Sequence, residues 1–167
     1  MNLEFPVMNG EEIKIYTKIV AVKDMIVESV REMTPIACNT LKSLGSHIPT
    51  AILHTVSGLF TMVLPFESDQ QKRLYVDCVK REALKRNAFA VTTITNTSIT
   101  DCRTGFAEEA LVLATSIQGG QPYVVIQKYT RDEFGAIKNF DEIVEGDDAF
   151  IVGQMLIFPD WSLERTH

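Results

Sequence analysis

The sequence has few of the residues and spacings that metal centres and disulfide scaffolds require. It contains three cysteines, which are Cys38, Cys78 and Cys102. Because they are far apart and odd in number, we expect no disulfide framework and a reducing, cytoplasmic location. Cys-x-x-Cys and His-Glu-x-x-His motifs are missing, and His47 and His54 alone would not make a zinc site. We therefore expect no bound metal and no cofactor.

The chain is also short of positive charge and of long apolar runs. Its formal net charge is −6, which opposes binding to nucleic-acid phosphates or to anionic lipid. Residues 1–4 lack the basic region of a secretory signal, and no apolar run approaches the roughly 20 residues of a membrane helix. We expect a cytoplasmic protein that binds neither nucleic acid nor a membrane.

What is present has the size and composition of one globular domain. The chain has 167 residues, of which 46% are hydrophobic and 23% charged. A chain of this length buries roughly 70% of the surface that it exposes when unfolded, so its core can be stable without disulfide bonds or metal ions. We expect a single domain over residues 1–167, with irregular tails at residues 1–8 and 159–167.

The first part of the chain is predicted to form two consecutive helices. Apolar residues recur at helical spacing through residues 9–33, with Asn9 as the N-cap. Thr34 and Pro35 then have the pattern of an N-cap and a first helical residue. We expect this second, short helix to run to Leu44 and to end at Gly45 in a left-handed conformation.

Residues 68–87 form the clearest helix, because Ser68 and Gln71 have the spacing of a capping box. The segments around this helix predict strands. Residues 49–66 indicate a hairpin that turns at Ser57-Gly58, and residues 88–99 are rich in β-branched side chains. Residues 136–144 predict a further strand, whereas residues 149–158 fit either a strand or a helix and slightly favour a strand.

The segment over residues 108–130 is the strongest local signal in the sequence. Two β-rich runs flank Gly119-Gly120, which predicts a hairpin with a two-residue turn in which both glycines have φ > 0. This grouping of strands and helices predicts an α+β fold, with an antiparallel-dominated sheet and the two main helices packed on one face.

Both faces of the hairpin strands are apolar, which a sheet with one solvated face should not show. Leu111 and Leu113 alternate with Val112 and Ala114, and all four are apolar. Something therefore covers part of the second face. A partner subunit and the C-terminal segment of the same chain are equal alternatives.

A polar loop over residues 100–109 is the best candidate for chemistry. It contains Asp101, Cys102, Arg103 and Glu109. A cationic neighbour can lower the pKa of a cysteine thiol, and clustered carboxylates can bind a divalent cation through oxygen. The more frequent interpretation is a solvated loop whose charges do no chemistry. No catalytic residue is therefore assigned from this loop.

Other motifs have simpler interpretations. Cys38 and Cys78 are expected to be packing residues. The acidic segment is expected to be a solvated loop; it contains Asp141, Glu142, Glu145, Asp147 and Asp148. Gly-x-x-x-x-Gly-Lys, Gly-x-Gly-x-x-Gly and Gly-x-Ser-x-Gly patterns are missing, which disfavours nucleotide-binding and α/β-hydrolase sites.

The order of these elements resembles small bacterial and phage proteins of unknown function. The resemblance covers residues 49–131: a hairpin at Ser57-Gly58, a helix bearing Lys72, a strand starting at Ala88 and a long hairpin ending near Arg131. It rests on element order, since Asn96-Thr97-Ser98 stands where that group tends to carry Glu-Ala-Trp. It implies no activity.

Two functions follow from the sequence as hypotheses. The first is a non-enzymatic protein that associates with itself, as a homo-oligomer, or with another protein through the apolar sheet. The second is a small-molecule-binding domain or an enzyme whose polar groups lie on the loop over residues 100–109. Fold alone decides neither.

Overall fold

The computed structural model describes residues 10–100, 105–146 and 155–162. The helices are α1 (Gly10–Leu44) and α2 (Asp69–Lys85). The strands are β1 (Thr50–Thr55), β2 (Gly58–Val63), β3 (Ala90–Thr100), β4 (Ala107–Ile117), β5 (Tyr123–Arg131), β6 (Ile137–Phe140) and β7 (Val144–Gly146). They form a seven-stranded sheet in the order β2-β1-β3-β4-β5-β6, with β7 also paired to β5. All of these pairings are antiparallel, so the α+β prediction is confirmed.

The two helices pack on opposite faces of the sheet, so the prediction that both lie on one face is wrong. Ile26, Val30 and Leu41 of α1 share a buried cluster with Ile52 of β1. Val79 and Ala83 of α2 instead share a cluster with the neighbouring residues of β1, whose side chains point to the other side. The sequence pattern of each helix shows that it has an apolar stripe but does not show which face that stripe covers.

The C-terminal segment covers the second face of the sheet together with α2. Met155 and Ile157 are buried in the cluster of α2, and Leu156 packs against apolar residues of β4 and β5 on the same face. The hydroxyl of Thr93 donates a hydrogen bond to the backbone carbonyl of Met155, which ties this segment to β3. Apolar residues in both phases of β4 and β5 are therefore explained within one chain.

The predicted break between two N-terminal helices is also wrong, because α1 continues through Pro35 to Leu44. Thr34 does not cap a new helix. It is buried, and its hydroxyl donates to the carbonyl of Val30, 2.8 Å away, one turn earlier in the same helix. Burial of the helix face on both sides of the proline outweighs the missing hydrogen bond. The end of α1 agrees with the prediction, since Gly45 has φ of +76° and donates its N–H to Leu41.

Replacing Pro35 by alanine should stabilise the protein. The exposed proline cannot donate an N–H to the carbonyl of Arg31, and a helix-interior proline costs about 3 kcal/mol. Alanine restricts the unfolded chain less than proline does, and this difference offsets up to about 1 kcal/mol of the gain. We therefore expect the free energy of unfolding to rise by about 2 kcal/mol. Urea denaturation measures this change. Asn39→Ala on the same helix is the control and should gain under about 1 kcal/mol; a less stable Pro35→Ala would contradict the account.

Helix α2 begins and ends as the sequence predicts. The hydroxyl of Ser68 accepts a hydrogen bond from the N–H of Gln71 at 3.2 Å, and the side chain of Gln71 accepts one from the N–H of Glu67 at 2.8 Å. At the other end, Asn87 leaves the helix with φ of +54°. These caps satisfy backbone groups that would otherwise lack partners at the helix ends.

The loops of the second half differ from the predictions in detail. The connection between β4 and β5 spans residues 118–122 instead of two glycines, and only Gly119 of the pair has positive φ. Residues 136–144 divide between β6 and β7, which pair with different parts of β5. Residues 155–158 form neither strand nor helix, and residues 149–154 lie outside the described residues, as does Asn9. Of the two helices described, neither has a stretch long and apolar enough to cross a membrane.

Candidate ligand-binding site

A cleft with a volume of about 740 Å³ lies between α1 and one end of the sheet. One wall is formed by α1, and the opposite wall by the turn that joins β1 to β2. The residues that precede β3 and follow β4 close the third side. The lining residues are Val22, Met25, Ile26, Ser29, His54, Thr55, Val56, Ser57, Gly58, Leu59, Asn87, Phe89 and Gln118. This volume falls within the roughly 300–1,000 Å³ that is common for small-molecule sites.

The described lining of the cleft is mainly apolar and carries no formal charge. It contains aliphatic side chains, one phenyl ring, hydroxyls, two amides and one imidazole, but no Asp, Glu, Lys or Arg. In a chain of which 23% of residues are charged, this composition distinguishes the cleft from the rest of the surface. A charged ligand would leave its counter-ion in water and lose hydration without a partner. The lining therefore favours an uncharged ligand.

His54 is the buried polar group of the cleft. Its position in β1 places the ring on the face that α1 covers, where only 2% of the residue is exposed. The Nε2 atom is 2.7 Å from the hydroxyl of Thr92, which is 2.8 Å from the hydroxyl of Thr115. The ring also lies beside Phe89, with ring centroids 6.3 Å apart. This row across β1, β3 and β4 fixes the imidazole in the cleft.

Burial keeps His54 neutral at physiological pH. Desolvation of the imidazolium lowers the pKa of His54 from 6.5 to about 4. The partner of Nε2 is the neutral hydroxyl of Thr92, which cannot offset that desolvation as a carboxylate would. A neutral imidazole carries one N–H donor and one acceptor nitrogen. Nε2 is engaged by Thr92, whereas Nδ1 has no hydrogen-bond partner among the described residues.

This arrangement supports binding better than catalysis. A base with a pKa near 4 is too weak to remove a proton from a hydroxyl at neutral pH. The described lining offers no carboxylate or thiol to cooperate with it. What the cleft provides is an apolar volume with one oriented hydrogen-bonding ring, which is the usual design of a small-molecule site.

Of the four candidates from the polar loop, the structure describes Glu109 alone. Asp101, Cys102 and Arg103 are outside the described residues. Glu109 is in β4, and its carboxylate accepts a hydrogen bond from Nε of Arg131 at 2.7 Å. From Glu109 to the cleft, β4 extends roughly 30 Å. The structure therefore does not bring Glu109 to the cleft.

Glu109 belongs to a cluster that fastens the connection between α1 and β1. Arg131 also donates to the backbone carbonyls of Gly45 and Gly135, at 2.9 and 2.8 Å. The side chain of Asn96 accepts the N–H of His47 at 2.8 Å. These are contacts to backbone, and they hold the helix end against β3 and β5. The cluster has a structural role.

The remaining polar candidates are also engaged in structural contacts. Glu108 forms an ion pair with Lys128 at 2.6 Å. The thiol of Cys38 contacts Gln127 at 2.7 Å, and burial raises its pKa. His47 precedes β1 and His54 lies near the far end of that strand, so they do not meet. Within residues 10–100, 105–146 and 155–162, no three His, Cys, Asp or Glu residues form a group that could hold a metal.

One residue of the acidic segment is more than a solvated charge. Glu145 accepts hydrogen bonds from both Nε and Nη2 of Arg31, at 3.2 and 2.7 Å, and from the hydroxyl of Tyr123 at 2.6 Å. Arg31 and Tyr123 lower the pKa of Glu145. Burial and the contact with Glu145 raise the pKa of Tyr123 to about 12. The trio attaches α1 to β7. Asp141 and Glu142 are exposed, as predicted.

Sequence reasoning did not assign His54 to a binding site and missed the cleft. A usable signal was present, because His54 occupies an inward position directly after the apolar residues Ala51, Ile52 and Leu53. Thr92 and Thr115 lie in inward positions of their strands as well, and a row of polar residues inside a sheet requires mutual hydrogen bonds. The cleft itself depends on where α1 crosses the sheet, which the sequence pattern does not fix.

Comparisons of the chain with protein-family models, with curated proteins and with solved structures find no match. The resemblance to small bacterial and phage proteins stays a prediction. The geometry of the cleft is then the basis for a function.

Proposed function

We propose that the protein binds an uncharged, mainly apolar small molecule in the cleft beside His54. One observation carries the proposal: the 740 Å³ cleft has a described lining without formal charge, yet it holds a buried imidazole. A neutral ligand with an aromatic or aliphatic body fits the apolar walls. A single hydroxyl, amide or N–H group on that body fits Nδ1 of His54.

The position of His54 supports specificity as well as affinity. The contact of Nε2 with Thr92 orients the ring. A ligand group that bonds to Nδ1 would therefore be held at a defined position in the cleft. A ligand that lacked this group would leave a desolvated ring nitrogen unpaired, which costs roughly 1–3 kcal/mol. The apolar walls then supply binding energy, and the imidazole discriminates among ligands of similar shape.

A matched pair of fluorescent probes tests the class of ligand. N-phenyl-1-naphthylamine is uncharged, and 8-anilino-1-naphthalenesulfonate has the same aromatic skeleton with an anionic group. We expect the uncharged probe to bind the full chain with fluorescence enhancement and the sulfonate to bind at least tenfold more weakly. The difference follows because the described walls offer no cation to the sulfonate.

A filled cleft provides the matched control. Ser29 is half-buried on α1 and lines the cleft, so Ser29→Leu should reduce its volume and weaken the uncharged probe at least tenfold. Ser43→Leu, at an exposed position of the same helix, should leave binding unchanged. Probe binding that ignores Ser29→Leu, or that prefers the sulfonate, would overturn the proposal.

A further inference from the structure

We infer that the protein forms a two-fold dimer by antiparallel pairing of strand β2 with β2 of a second copy. Strand β2 is the terminal strand of the sheet and, within the described residues, pairs with β1 alone. A terminal strand presents unpaired backbone N–H and C=O groups, which can pair with another strand. The inference concerns the free edge of the sheet, which adjoins the cleft at Leu59, and it does not depend on ligand binding.

The two edges of the sheet are built differently. At the far edge, β6 has four residues and carries Lys138, β7 has three and carries Glu145, and a register shift interrupts β5 at Thr130. Short strands, charges and bulges are the features that prevent edge pairing. Strand β2 has six residues, Gly-Leu-Phe-Thr-Met-Val, with no charge, no proline and no register shift. It lacks the protection that the other edge has.

A second copy can pair at this edge without bringing like charges together. Each chain carries −6, so most surfaces of two copies repel one another. Residues 43–66, which contain β1 and β2, include no Asp, Glu, Lys or Arg. Pairing at β2 therefore brings together the longest uncharged stretch of each chain and avoids that repulsion.

The backbone register makes β2 complementary to itself. The N–H of Leu64 donates to the carbonyl of Pro49 at 2.7 Å, which marks an inward hydrogen-bonded position. Since these positions alternate, the N–H and C=O groups of Leu59, Thr61 and Val63 point away from β1. Pairing about Thr61 sets Thr61 against its own copy and Leu59 against Val63 of the other chain. All three outward positions then form hydrogen-bonded pairs.

The side chains agree with this register. Leu59 and Val63 are 54% and 56% exposed on the sheet face that α1 covers further in. In the dimer each packs against the other across the two-fold axis, which removes both from water. Leu59 also lines the cleft, so Val63 of the second copy lies next to the cleft rim.

Sedimentation equilibrium of the full chain tests the inference. We expect a mass of twice 18.7 kDa at tens of micromolar protein. Thr61→Lys places two like charges directly opposite each other and should weaken the dimer at least tenfold. Asn139→Lys adds the same charge to the exposed edge strand β6 and should leave the dimer constant unchanged.

A cross-link tests the register and does not depend on disrupting the fold. A hydrogen-bonded antiparallel pair has Cα atoms about 5.5 Å apart, which is within disulfide range. Thr61→Cys should therefore give a covalent dimer on mild oxidation, whereas Ser57→Cys, in the exposed turn off the axis, should not. A monomeric wild type, or cross-linking that is equal at both positions, would overturn the inference.

Discussion

Acidification from pH 7 to pH 4 is expected to remove about 3 kcal/mol of folding stability through His54 alone. Its pKa is 6.5 in the unfolded chain and about 4 in the folded protein, and each pKa unit is worth about 1.4 kcal/mol. Above pH 6.5 the imidazole is neutral in both states. Between pH 6.5 and 4 only the unfolded chain binds the proton, so stability falls as the pH falls, and the loss is complete once the folded pKa is passed.

The substitution His54→Gln isolates this effect. The amide nitrogen of glutamine can take the place of Nε2 beside Thr92, and glutamine does not titrate. The variant should lose about 3 kcal/mol less than the wild type between pH 7 and pH 4, measured by urea unfolding at each pH. The carboxylates, including Glu145, are the same in both proteins, so their contribution cancels in the difference. Parallel pH profiles of the two proteins would show that His54 is not buried in its neutral form.

Ile157→Ala is expected to cost about 2–4 kcal/mol of unfolding free energy. Ile157 is 1% exposed and packs in the cluster that contains Leu53, Val79 and Val91. Truncation leaves a cavity between the C-terminal segment and the sheet, in a part of the chain that has no regular secondary structure. The result therefore measures how much the cover of the second face contributes to the fold.

The neighbouring residue is the control for this substitution. Phe158 is 48% exposed, so Phe158→Ala should cost under about 1 kcal/mol although it removes a larger side chain. Urea denaturation of both variants gives the comparison. Equal costs at the two positions, or an Ile157→Ala protein as stable as the wild type, would mean that the segment does not cover the sheet as described.

Local features of the fold were predictable from the sequence because neighbouring residues determine them. The cap of α2 at Ser68, its exit at Asn87 and the left-handed Gly45 all agree with the prediction. The break expected at Pro35 did not occur, because burial on both sides of the proline overrides a local signal. The residues next to a proline do not show how much the helix gains by packing against the sheet.

The arrangement of layers was not predictable in the same way. Apolar residues in both phases of β4 and β5 showed correctly that both faces are covered, but a helix stripe fits either face equally well. The placement of α1 and α2 on opposite faces decides where the cleft forms, so His54 could not be assigned to a site before that placement was known. The polar loop was the candidate instead, because it groups charged residues close together in the sequence.

The two walls of the cleft differ in how firmly they are held. The α1 wall is held by Ile26 and Val30, which are fully buried, and by the contact of Arg31 with Glu145. The opposite wall is a hairpin tip at the sheet margin, where Val56 is 95% exposed. We therefore expect the hairpin tip to move when ligands of different size bind, while α1 stays in place. A second copy paired along β2 would stiffen that adjustable side.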